Sequence, residues 1–320
     1  MESEDPSRLA ARHAAARRMR VDHASAVAVR ALDAVGIQCI LLKGASITRW
    51  LFEPEDARVY VDCDLLVSPS DFRATVETLE TQGFERELDE AAMPTWWREH
   101  ALTTRRPSDG TIIDVHRGLP GAQVSDAELW ARLSTTTDTM VIGDVVTTVL
   151  SEPARVLHAA LHAAQHGGSP RDEEVLARAI TRLDPDGWRT AAELASALQA
   201  TAAFHRGLSF IPAGAELADR LGVDAARETE VELRAAGATE ALTLSRVLST
   251  QGLAARASLI GHKLVPPPTF MRKWSPRASQ GSAGLVIAYL WRPLWVLSRL
   301  PRALRAWVRA RRATPRSGTG

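Results

Sequence analysis

The chain has 320 residues, 45% hydrophobic and 24% charged, so it can bury a sizeable core and is not a disordered segment. A net charge of +1 hides a split: residues 241–320 hold 14 Lys and Arg and no acidic residue, leaving 25 basic against 38 acidic side chains in the first 240. The two cysteines, Cys39 and Cys63, lie in apolar runs, which excludes a disulfide framework and a zinc finger and points to core positions in a reducing compartment.

The acidic start, from Met1 to Pro6, lacks the apolar centre of a secretory signal, so a cytoplasmic location is expected. Residues 7–35 are rich in Ala, Arg and Val at helical spacing and stop at Gly36. Residues 37–42 form a short apolar strand, 43–46 a turn, 47–52 a short helix and 53–56 a loop. A buried strand follows over residues 59–67, then a helix over 71–82 closed by Gly83. Two more strands are expected at 99–106 and 111–116, joined by a turn at Pro107-Ser108-Asp109-Gly110. This alternation predicts an α+β domain over 25–145, with residues 1–24 as a helical lead-in.

From about Val145 the texture becomes Ala-, Leu- and Arg-rich, with no strand signal read there. Helices are expected at 152–166, 171–183, 188–203, 213–222, 224–236 and 238–260, as a separate helical domain over 146–262. Val265-Pro266-Pro267-Pro268 then reads as a stiff spacer, opening a Pro-rich linker and basic tail over 263–320. Residues 285–300 are strongly apolar but broken by Arg292 and Pro293, too short a run to span a bilayer. With the arginines from Arg299 to Arg312, residues 283–312 are expected to lie on an anionic membrane surface.

The chemistry concentrates in Val59-Tyr60-Val61-Asp62-Cys63-Asp64-Leu65-Leu66-Val67. Side chains at i and i+2 of a strand share a face, so Asp62 and Asp64 converge. Two buried carboxylates that close are costly unless a cation lies between them, and a divalent metal carrying a polyphosphate is the usual reason to tolerate the pair. Downstream, Asp114-Val115-His116 offers a third carboxylate. His158, His162 and His166 form one stripe at i, i+4 and i+8, without the Glu beside the first His that a zinc protease needs.

Leu42-Lys43-Gly44, Arg58, the Asp62-Cys63-Asp64-Leu65-Leu66-Val67 strand, Asp114-Val115-His116 and the histidine-rich helix over 158–166 occur in an order that resembles the uncharacterised nucleotidyltransferase family of the DNA-polymerase-β-like superfamily. The resemblance covers roughly residues 25–185. It implies a mixed sheet of four or five strands with helices on one face, followed here by an all-helical domain. It also implies transfer of a nucleoside monophosphate from a nucleoside triphosphate such as ATP to an acceptor hydroxyl on a small molecule, peptide or protein, with natural-product tailoring as a setting.

Asp62, Asp64 and Asp114 would be catalytic and would hold one or two Mg²⁺, while Lys43, Gly44, Ser46 and Arg58 would meet the nucleotide. His116, His162 and His166 would stand behind the metal ligands. Where the wider superfamily has Gly-Ser, this chain has Gly44-Ala45, with Ser46 one place later. That departure keeps open a catalytically decayed nucleotide-binding or regulatory protein on the same fold. A nucleic-acid partner is not expected, because the first 240 residues are net acidic.

Overall fold

The computed structural model describes residues 6–54, 56, 59–88, 100–223 and 228–314. The chain divides into two units: residues 1–87, 99–163 and 169–223 form the first, and 88–98, 164–168 and 224–320 the second.

The first unit opens with α1 (Pro6–Asp33), β1 (Cys39–Leu41), α2 (Ala45–Leu51), β2 (Asp62–Val67), α3 (Phe72–Thr81), β3 (Glu85–Arg86), β4 (Ala101–Arg105) and β5 (Ile112–His116). It continues with α4 (Asp126–Leu133), β6 (Thr137–Ile142), β7 (Val145–Leu150), α5 (Glu152–His166), α6 (Pro170–Arg182), α7 (Pro185–Ala197), α8 (Thr201–Leu208) and α9 (Pro212–Arg220). The strands make one mixed sheet in the order β3-β4-β5-β2-β1-β7-β6. β2 runs antiparallel to β1 and parallel to β5, which puts the carboxylate strand at the centre. Alternation decides its two faces. Cys63, Leu65 and Val67 of β2 and Ile113 and Val115 of β5 point into a core closed by Val29 and Leu32 of α1 and Val76 and Leu79 of α3. Both cysteines are buried free thiols there, and burial pushes Cys39 up to about 12.

The sheet has seven strands, more than the four or five expected. The added hairpin, β6 and β7, turns at Gly143-Asp144 with Gly143 at φ +64°, and β7 pairs parallel with β1. The boundary expected at residue 146 therefore falls inside a strand. Val145, Val146 and Val149 are β-branched, and β7 lies between two partners, so the extended form wins. The helix expected over 188–203 is two, α7 and α8, separated at Gln199, which has φ +51°.

The second unit holds α10 (Thr229–Ala235), α11 (Thr239–Ser249), α12 (Leu253–Leu264), α13 (Pro268–Trp274) and α14 (Ser282–Ala313). The single helix expected over 238–260 is broken before α12 by Gly252 at φ +87°. Pro268 opens α13 instead of extending a spacer, since proline is tolerated in a first helical turn. α14 is 32 residues long with Pro293 and Pro301 inside it. Its Ala303 and Ala310 pack with Leu233 and Ala241, and its Ala288 packs with Met271 and Ala278. Among the described residues no helix is long and apolar enough to cross a membrane.

Candidate active site

The site forms where β1 hands over to α2 beside the start of β2. The Leu42 N–H donates to the Asp64 carbonyl at 3.0 Å, extending the strand pairing by one residue. The chain then turns at Gly44, whose φ of +69° only glycine adopts without strain. A Cβ there would lie 3.4 Å from the Asp62 carbonyl, so the turn packs directly on β2. This brings Lys43 Nζ to 3.2 Å from Asp64 Oδ1.

Register supplies the other carboxylate. Asp64 on β2 is paired with Asp114 on β5, Asp114 is paired with Thr103 on β4, and Asp62 lies two residues before Asp64. Neighbouring strands are ~4.8 Å apart and i, i+2 side chains share a face, so the three aspartates leave one side of the sheet together. His116, two residues past Asp114, donates from Nε2 to Asp64 Oδ1 at 2.9 Å. The positions of Asp62, Asp64, Asp114, Lys43, Gly44 and His116 thus converge.

Electrostatics distinguish the three carboxyls. Asp64 is only 1% exposed, and burial opposes its ionisation. The His116 hydrogen bond and the Lys43 charge outweigh that cost and hold it well below the usual carboxylate range. Asp62 is pushed up, first by burial and then by Asp64, with Lys43 opposing. Asp114 is pushed up by burial, opposed by a hydrogen bond from Thr103 and reinforced by Asp64. For Lys43, burial disfavours the charge, but Asp64 and Asp62 prevail and raise it above its ordinary value.

Asp64 Oδ2, Asp114 Oδ1 and His116 Nδ1 are buried without hydrogen-bond partners. An orphaned buried polar group costs ~1–3 kcal/mol. Two such oxygens on paired strands are hard donors of the kind Mg²⁺ prefers. As the side chains stand, no group of three or more His, Cys, Asp and Glu among the described residues is drawn together closely enough to hold a metal ion. Lys43 and His116 both hold Asp64 Oδ1, and an ammonium there balances the buried charge as a cation would.

Other expected residues take other places. Ser46 is fully buried and its hydroxyl donates to the Leu42 carbonyl at 3.0 Å, so as it stands it ties the first turn of α2 to the residue after β1. Arg58 lies outside the described residues. His162 Nδ1 meets Asp172 Oδ1 at 3.1 Å, and Asp172 also closes the capping box of α6 through Ser169. His166 is exposed at the end of α5.

Thr103 and Asp172 escaped the sequence reading, and His158 was read only as part of the histidine stripe. His158 is buried, and burial, then His162, Lys43 and His116, disfavour its charge. Thr103 supports Asp114, and Asp172 holds His162. The i, i+4 spacing of His158 and His162 was visible, but which of the two is buried is set by the fold.

A mixed sheet presenting carboxylates from paired strands beside a Lys-Gly turn has the features of a nucleotidyltransferase. The chain belongs to the uncharacterised nucleotidyltransferase family, whose model matches residues 7–214. The chain is similar to an antigenic nucleotidyltransferase-like protein from Paracoccidioides brasiliensis, at 20% identity and a TM-score of 0.35, over 58% of this chain and 96% of that one. It is also similar to the antibiotic-resistance factor ANT(2'')-Ia, at 14% identity and a TM-score of 0.39, over 55% of this chain and 93% of that one. No curated protein sequence matches.

Proposed function

We propose that the protein transfers a nucleoside monophosphate from a nucleoside triphosphate to a hydroxyl of a small-molecule, peptide or protein acceptor, in a Mg²⁺-dependent reaction. The observation carrying this reading is the pairing of Asp64 with Asp114, each with an unpartnered buried oxygen, beside Asp62 and Lys43. Asp62, Asp64 and Asp114 are the residues that would hold the metal. Bound there, Mg²⁺ would offset the negative charge of the triphosphate and of the in-line displacement at its α-phosphorus. Lys43 would leave Asp64 and pair with phosphate oxygens. Gly44 lets backbone approach the phosphates. The acceptor oxygen would attack the α-phosphorus, the bond to pyrophosphate would break, and Asp114 would take the hydroxyl proton.

The second reading, a decayed nucleotide-binding or regulatory protein, is favoured by Ala45 and by the engaged Ser46 hydroxyl. Pyrophosphate release separates the two. Wild-type protein with Mg²⁺, ATP and a panel of hydroxyl acceptors is expected to release pyrophosphate, and Asp64→Asn to lose that activity by about 100-fold or more. Silence of the wild type across nucleotides and acceptors supports the second reading.

For the second unit we propose contact of residues 283–312 with an anionic membrane surface, from a cytoplasmic location, on the strength of the charge split along the chain. Peptide natural-product tailoring is the setting we favour for the transferase.

A further inference from the structure

α14 carries apolar side chains on two opposite sides. The inward side is small: Ala288, Ala303 and Ala310 are buried against side chains from α10, α11, α13 and the segment before α14. Arg292 shares that side. It is buried, its Nε donates to the Lys263 carbonyl at 2.8 Å, and its guanidinium lies over Phe270 and Trp274. At roughly 100° per residue these four positions fall within about 60° of one another.

The outward side is large. Between Val286 and Leu304, eight large apolar side chains are 45–71% exposed, Leu290, Leu294 and Leu297 among them. The same angular step centres this stripe nearly opposite the alanines, over a length of about 27 Å. A helix that is apolar on both sides normally has both sides covered. Among the described residues of the second unit, only the alanine side is covered. α12 beside it buries no residue and exposes Leu253 and Ile260.

Charge selects the missing cover. No acidic residue follows Glu240 in the chain, and Glu240 is paired with Arg299 at 2.5 Å. Arg302, Arg305 and Arg309 line a shallow cleft beside that pair. A second copy of this face would set one cationic surface against another. An anionic bilayer matches both features, because aliphatic side chains enter the acyl boundary while arginine stems reach up to lipid phosphates. Trp291, in the stripe, suits the same depth.

We propose that the outward stripe of α14 seats the protein in the surface of an anionic bilayer, the helix lying in the membrane plane with Arg302, Arg305 and Arg309 at lipid phosphates. This rests on the membrane reading of residues 283–312 and not on the transferase chemistry.

The test is flotation of the full-length protein with vesicles of phosphatidylcholine alone and of phosphatidylcholine with phosphatidylglycerol. Wild type is expected to float only with the anionic vesicles. Leu290→Asn with Leu294→Asn and Leu297→Asn should weaken binding by about tenfold or more. Arg302→Gln with Arg305→Gln and Arg309→Gln should remove the preference for anionic lipid. Val146→Asn, at an exposed apolar site on β7, should float as wild type does. Circular dichroism checks folding, and single Leu290→Asn replaces the triple variant if that one unfolds. Undiminished flotation of the leucine variant overturns the face assignment while leaving the membrane reading intact. Absence of wild-type flotation overturns both. A stripe-dependent dimer in sedimentation velocity, without flotation, makes a second copy the occupant and also overturns the proposal.

Discussion

Asp64 is a carboxylate that burial should neutralise and that its neighbours keep charged. The His116 hydrogen bond and the Lys43 ammonium reach one of its oxygens, and the other oxygen is left without a partner. His158 shows the converse. Burial, followed by the neighbouring His162, Lys43 and His116, pushes it down to about 3, so above that pH it is neutral in the folded state. The unfolded chain binds this proton below its ordinary value of about 6.5. Between these values the unfolded state holds more protons, so stability falls as pH drops through that window. His158→Gln is expected to remove this contribution. Urea midpoints for wild type and variant, compared at a series of pH values, should draw closer or cross as pH falls from 6.5; parallel curves would rule the effect out. That Asp62 and Asp64 share a face was legible because strand alternation is a local rule, whereas Asp114 on another strand was reached only through the family resemblance. The use of the Ser46 hydroxyl was not legible, because its partner, the Leu42 carbonyl, is fixed by how the turn closes on β1.

At the scale of elements, packing against backbone decides what is tolerated. Gly207 of α8 rests on α5, and a Cβ there would lie 2.0 Å from the Ala160 carbonyl oxygen. α5 also carries His158, so α8 packs on the helix that bears this buried histidine. Gly207→Ala is expected to destabilise the protein by ~1–3 kcal/mol through overpacking. Gly261→Ala, in α12 with nothing within 4 Å of its Cβ, is expected to be neutral or to stabilise by ~0.5–1 kcal/mol. Chemical denaturation of both variants should give these opposite signs; equal effects would contradict the close approach of α8 to α5. The β6–β7 hairpin shows where reading elements in sequence failed. Its β-branched run and Gly143-Asp144 turn were strand signals, yet the alanine-rich tract just beyond them drew the helical boundary too early. The two long helices that proved broken each carry a residue at positive φ, Gln199 and Gly252, between the segments. Gly252 was a readable break; a glutamine in that conformation is set by tertiary packing.

Over the whole molecule, chemistry and charge are segregated along the chain. The carboxylate site belongs to the first unit, within the net-acidic first 240 residues, and the acid-free stretch belongs to the second. This division was plain in the sequence, because charge counts need no fold. That α14 presents apolar side chains on two sides was not plain, because it depends on which alanines the neighbouring helices cover. The proposed transferase stands or falls on Asp64 and Asp114, whose unpartnered buried oxygens would receive a divalent cation carrying a nucleotide. Calorimetric titration of Mg²⁺–ATP into wild type, Asp64→Asn and Asp114→Asn tests it most directly. The account predicts saturable binding to wild type and a loss of about tenfold or more in each folded variant. Equal binding by all three proteins would contradict it.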